Sequence, residues 1–120
     1  MREITADERD AIQSVAAKLD PERAKRLLDD LDGAMVEEVL DDGSRLQFHL
    51  RGYERPPYRG QRLLEPQPWV RDKDGAEVEV LVHIDQNHRL FELELVRYQA
   101  GELIGVDWTT LTFKSPLGES

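Results

Sequence analysis

Residues 76–98 constrain the fold more tightly than any other stretch of the chain: AEVEVLVHI, a short polar break, then LFELELVRY. Val78, Val80, Val82 and Ile84 recur at every second position, and Phe91, Leu93 and Leu95 do the same beyond the break. Period two puts such side chains on one face of a strand, so the stretch predicts a half-buried antiparallel hairpin. Pairing Ile84 with Phe91 brings Val82 to Leu93 and Val80 to Leu95, and the two apolar faces coincide. The same register sets His83 opposite Glu92 and Leu81 opposite Glu94. A slip of one residue would destroy both arrangements.

Ahead of this hairpin the pattern is helical. Thr5 followed by Glu8 has the spacing of a capping box, and Ile12, Val15, Ala16 and Leu19 then form one apolar stripe. Asp20 and Pro21 end that stripe and open a second, with an Asp cap, a Pro at the first helical position and Glu22 in the first turn. Ala24, Leu27, Leu28 and Leu31 repeat the spacing, and Gly33 marks the exit. Asp42 and Gly43 predict a two-residue hairpin turn, which would set Val39 across from Leu46 and Glu37 across from Phe48. Asp74 and Gly75 repeat the signal, and would place Trp69 across from Val80 on the buried face.

Two further segments are irregular. Residues 52–60, with Pro56 and Pro57, form a loop, because consecutive prolines cannot donate to a ladder. Pro66 and Pro68 demote the strand around Leu63, Leu64, Trp69 and Val70 to an edge or a bulged segment. Residues 103–113 keep no single period and fit either a last short strand or a segment covering the sheet. The expected fold is a single α+β domain over 1–120. Helices at about 5–19 and 21–32 would pack on an antiparallel meander of four to five strands, at about 35–41, 44–51, 62–72, 76–85 and 90–98, with 115–120 as a loose tail.

Charge narrows the partners. There are 25 acidic and 16 basic residues, a formal charge of -9, which repels a phosphate backbone and attracts a basic protein. Nucleic acid is therefore not the expected partner. No cysteine is present, so a disulfide framework and a thiolate metal site are excluded. No apolar run reaches the length of a spanning helix and the first ten residues lack a leader's apolar core, so no membrane role and a cytoplasmic location are expected.

Sites for chemistry are sparse. His49, His83 and His88 lack the helical spacing of a zinc motif. His83 with Glu92 could serve as a base and its orienting carboxylate, but no Ser, Thr or Cys stands beside it as a nucleophile. The Asp-Gly pairs do not continue into a calcium loop and read as turns, and residues 101–105 lack the Lys-Ser/Thr of a phosphate loop. Tyr53, Arg55, Tyr58 and Arg59 interleave aromatic and basic side chains, a structural or protein-contacting loop at this net charge. No catalytic, cofactor or metal residue is assigned. What remains is the second face of the hairpin. Glu79, Glu92 and Glu94 surround Leu81 and Val96 there, with Tyr98 in phase, and an apolar centre rimmed by charge has the anatomy of an interface.

Residues 72–104, DKDGAEVEVLVHIDQNHRLFELELVRYQAGELI, resemble the core of a family of small bacterial proteins of unassigned function. The matching positions are Asp72, Asp74, Gly75, Val78, Val80, Asp85, Leu90, Phe91, Glu92, Leu93, Glu94, Leu95, Leu103 and Ile104. The opening MREIT and the stretch MVEEVLDDGSRLQF resemble the same family, although the region around Gly43 is shorter and Val96, Arg97 and Tyr98 stand where a tryptophan-lysine pair is common. The resemblance implies an immunity protein paired with a contact-delivered bacterial toxin, with no residue-level site to carry over. Residues and resemblance together lead to the expectation of an acidic module that binds a basic protein such as a nuclease toxin. The alternatives are a homodimeric structural or adaptor protein and a small enzyme using His83 and Glu92.

Overall fold

The computed structural model describes residues 1–40 and 42–113, and the expected tail at 115–120 lies outside them. Helix α1 (Ala6–Ala16) starts where the sequence predicts: Thr5 accepts from the Glu8 backbone N–H and the Glu8 side chain accepts in return from the Thr5 N–H. It ends earlier than expected, because Lys18 and Leu19 N–H groups bond three residues back and tighten the last turn. Helix α2 (Pro21–Leu31) opens on the Asp20 cap, whose carboxylate accepts from the Arg23 N–H. Ile12, Val15, Ala16, Leu27 and Leu31 are buried, whereas Leu28 stays exposed.

Both helices lie on one face of an antiparallel sheet of eight strands, not four or five. These are β1 (Arg2–Glu3), β2 (Met35–Glu38), β3 (Arg45–His49), β4 (Arg62–Leu63), β5 (Pro68–Arg71), β6 (Glu77–Ile84), β7 (Leu90–Arg97) and β8 (Asp107–Phe113). Spatial order is β1-β2-β3-β7-β6-β5-β8, with β4 also paired to β6. Three causes account for the extra strands. The prolines at 66 and 68 split the expected 62–72 strand into β4 and β5. Arg2 and Glu3 add to β2, although two residues carry no readable period. Residues 107–113 form the last strand against β5, through a register shift that hides their alternation.

The central hairpin adopts the expected register over most of its length: Val80 pairs with Leu95, Leu81 with Glu94, Val82 with Leu93 and His83 with Glu92. Its end differs. Ile84 pairs with Leu90, Phe91 is the extra residue of a bulge, and Leu90 rather than Phe91 is buried.

Both Asp-Gly turns are one residue longer than expected. Gly43 donates to the Leu40 carbonyl and Gly75 to the Asp72 carbonyl, with Gly43 at φ 74° and Gly75 at φ 90°. Each turn closes on a glycine in the left-handed region, and each pairing is shifted by one. Val36, not Val39, therefore shares the buried face, with Phe48 as its partner, and Val39 is exposed. Trp69 pairs with Glu79 instead of Val80 and leaves the core face altogether. The core lies between helices and sheet, where Val36, Leu46, Phe48, Val70, Val78, Val80, Val82 and Leu93 meet the helical side chains. Among the described residues no helix is long and apolar enough to cross a membrane.

Candidate functional site

The helix-free face of the sheet carries the predicted site. Glu79 and Val96 are direct partners across β6 and β7, Leu81 faces Glu94, and Tyr98 follows in phase. Leu81, Val96, Glu79 and Glu94 are half-buried, and Tyr98 is 64% exposed. The one-residue shift of β5 adds Trp69, whose ring centroid is 5.9 Å from that of Tyr98. The Tyr98 hydroxyl donates to Glu79 Oε1 at 2.5 Å, and that carboxylate raises the pKa of the phenol above its usual value. Two aromatics, one of them half-buried, thus stand beside aliphatic side chains and carboxylates on the face that carries no helix.

Glu92 does not belong to that surface. It is fully buried, and its Oε1 accepts from Arg45 Nε at 2.9 Å and Gln47 Nε2 at 3.2 Å, both on β3. The acidic rim is reduced to Glu79 and Glu94. Sequence alternation put Glu92 on the correct face, but the arginine that covers it comes from a strand 45 or more positions away, joined only by the β3–β7 ladder.

His83 and Glu92 are cross-strand neighbours, yet they form no hydrogen bond. Both ring nitrogens of His83 and Oε2 of Glu92 lack hydrogen-bond partners within the described structure. Glu94 Oε1 lies 3.5 Å from His83 Nε2. The base-and-orienter arrangement is absent. His49 bonds Glu37 at 2.9 Å and His88 lies in the β6–β7 turn, so the three histidines do not converge. Among the described residues no group of three His, Asp or Glu side chains is placed to hold a metal ion.

In the aromatic-basic loop Tyr53 and Arg55 turn inward, while Tyr58 and Arg59 are exposed. Tyr53 Oη donates to Asp85 at 2.6 Å, Arg55 bonds the same carboxylate at 2.8 Å, and Arg55 also reaches the Phe48 and Leu90 carbonyls. Burial alone would raise the Asp85 pKa, but these donors and the Arg89 and Asn87 N–H groups outweigh it and hold the carboxyl below its usual value. Asp72 is a second such anchor. It accepts from the backbone of Lys73, Ile104 and Gly105 and from Arg97, which together overcome the opposing effect of burial and hold it far below the usual carboxylate range. Arg97 also bonds Asp74, so the Asp72–Asp74 pair is filled by a guanidinium.

The chain belongs to a family defined as a domain of unknown function (DUF6984), whose model matches residues 1–107. No curated protein and no solved structure matches it.

Proposed function

We propose that this domain is a protein-binding module whose helix-free sheet face docks a basic protein partner. One observation carries the proposal: the Trp69–Tyr98 pair, with Val96 and Leu81 beside it, stands on the face that neither helix covers. Apolar and aromatic side chains at the centre would supply the desolvated contact, while Glu79 and Glu94 at its edge and the overall charge of -9 would steer a cationic surface. The narrower form of the proposal is neutralisation of a nuclease toxin, since a protein that grips phosphates must itself be basic. Homodimerisation through the same face is the competing outcome.

The test is affinity capture from the source cell with the wild-type domain and with Tyr98→Ala, alongside sedimentation of the isolated domain. Retention of a basic protein by the wild type and its loss from the variant supports the proposal. Capture that ignores the substitution, or a stable dimer that Tyr98→Ala dissociates, rejects it.

A further inference from the structure

The surface around Trp69 and Tyr98 is small for a whole interface. A standard protein interface buries about 800 Å² on each partner, a patch roughly 30 Å across. The Trp69 and Tyr98 ring centroids are only 5.9 Å apart. Strand β7 runs from there back toward the β6–β7 turn, and at the rise of an extended strand Phe91 stands about 20 Å from Tyr98. A second aromatic pair occupies that end.

Phe91, the extra residue of the bulge, is half-buried and lies outside the core between helices and sheet. Its ring centroid is 6.3 Å from that of Tyr58, which is 68% exposed, and the Arg55 guanidinium lies 4.7 Å from the same Phe91 ring. The loop that carries Tyr58 is fixed from within. Tyr53 and Arg55 bond Asp85, Arg55 also reaches the Phe48 and Leu90 carbonyls, and Gln86 Nε2 donates to the Pro57 carbonyl at 2.9 Å. Docking against a ring held this way costs little ordering entropy.

Charge at this end has the opposite sign. Residues 51–64 hold four of the 16 basic residues and one of the 25 acidic ones, Glu54. Arg59 is exposed and engages no acceptor among the described residues. Arg45 covers the buried Glu92 with a guanidinium that is itself 42% exposed. Its pKa is raised first by Glu92 and, to a lesser degree, by the Tyr58 hydroxyl, which places that ring close to the guanidinium. Carboxylates thus accompany the Tyr98 end and arginines the Tyr58 end.

We propose that Tyr58, Phe91 and Arg59 form a second contact of the same interface, and that its partner is bipolar: a basic surface for Glu79 and Glu94, edged about 20 Å away by carboxylates that meet Arg59. This rests on the docking of a basic protein at the sheet face. A uniformly basic surface would be repelled at the arginine end.

Charge reversal at Arg59 separates the two kinds of partner by sign. The probe is the basic protein retained by the wild-type domain, immobilised for kinetics at low and high salt. Arg59→Glu should slow its association about threefold at low salt, whereas a uniformly basic partner would bind this more acidic variant faster. Tyr58→Ala should speed dissociation about tenfold. Both side chains are exposed, and thermal melts matching wild type confirm the fold. Faster or unchanged association of Arg59→Glu, or dissociation unaltered by Tyr58→Ala where Tyr98→Ala abolishes capture, overturns the bipolar partner and leaves the docking face standing. Capture of no basic protein, or of one indifferent to both Tyr58→Ala and Tyr98→Ala, overturns both readings.

Discussion

Arg45 Nε lies 2.9 Å from Oε1 of Glu92, so the one fully buried carboxylate of the β6–β7 hairpin is neutralised by a side chain from β3 that is itself 42% exposed. The pair locks the central ladder where β3 joins β7. Removing Arg45 leaves a buried charge with only Gln47 as a donor, although water at the arginine's position will soften the loss. Arg45→Ala should cost about 2 kcal/mol in urea unfolding, while the double change Arg45→Met with Glu92→Leu should lie within about 1 kcal/mol of wild type. Equal destabilisation by both would contradict the pairing.

Acid should unfold the domain through its anchoring carboxylates. The folded pKa values of Asp72, Asp85 and Glu8 are all lowered. A lowered folded value means stability that is complete above the unfolded pKa, about 4, and is lost as pH falls through the folded values. Chemical unfolding at a series of pH values should therefore show a plateau near neutrality and a decline below about pH 4. Asp72→Asn should flatten that decline and cost about 2–3 kcal/mol at neutral pH, since Arg97 keeps Asp74 while the Ile104 and Gly105 N–H groups lose a charged acceptor.

The turn at Gly75 and the β6–β7 turn share one hydrogen-bond pattern, Gly75 donating to the Asp72 carbonyl and His88 to that of Asp85, with φ 90° and 62°, and should respond oppositely to side-chain size. Gly75→Ala meets no atom within 4 Å, so its cost is conformational alone, about 1–2 kcal/mol at φ 90°. His88→Gly removes a side chain from the same conformation and should leave stability within about 1 kcal/mol of wild type or above it. Thermal melts of the two variants separate the cases.

Binding at the sheet face should divide between rate constants. Tyr98→Ala removes an exposed ring, leaves the fold intact, and should speed dissociation of the partner about tenfold or more. Glu94→Gln should mainly slow association and flatten its dependence on salt. Surface-plasmon kinetics at several ionic strengths would show the split.

Local chemistry explains what could be read in advance. Thr5, Glu8, Asp20 and Pro21 act within one turn of their own position, and both helix starts follow from them. The hairpin register was legible because two apolar alternations must coincide, and the bulge at Phe91 restores it after the longer turn. An Asp-Gly pair, by contrast, suits both a two-residue turn and a three-residue turn ending on a left-handed glycine. That ambiguity misplaced Val39 and Trp69. On the helix-free face, the placement of Glu79, Leu81, Glu94, Val96 and Tyr98 followed from alternation alone. Trp69 was missed through the turn, and Glu92 was misassigned because its partner Arg45 is close only in three dimensions.

The placement of β3 against β7 also sets the order of events on the ribosome. Both helices and the β2–β3 hairpin emerge while the strand that must zip against Leu46 is still untranslated, and β4, β5 and β6 intervene. Until residues 90–97 arrive, the nascent half bears a raw hydrogen-bonding margin. So distant a junction raises the contact order above that of a purely local meander, a change that lowers folding rates in general, and until it closes that margin is an unpaired edge.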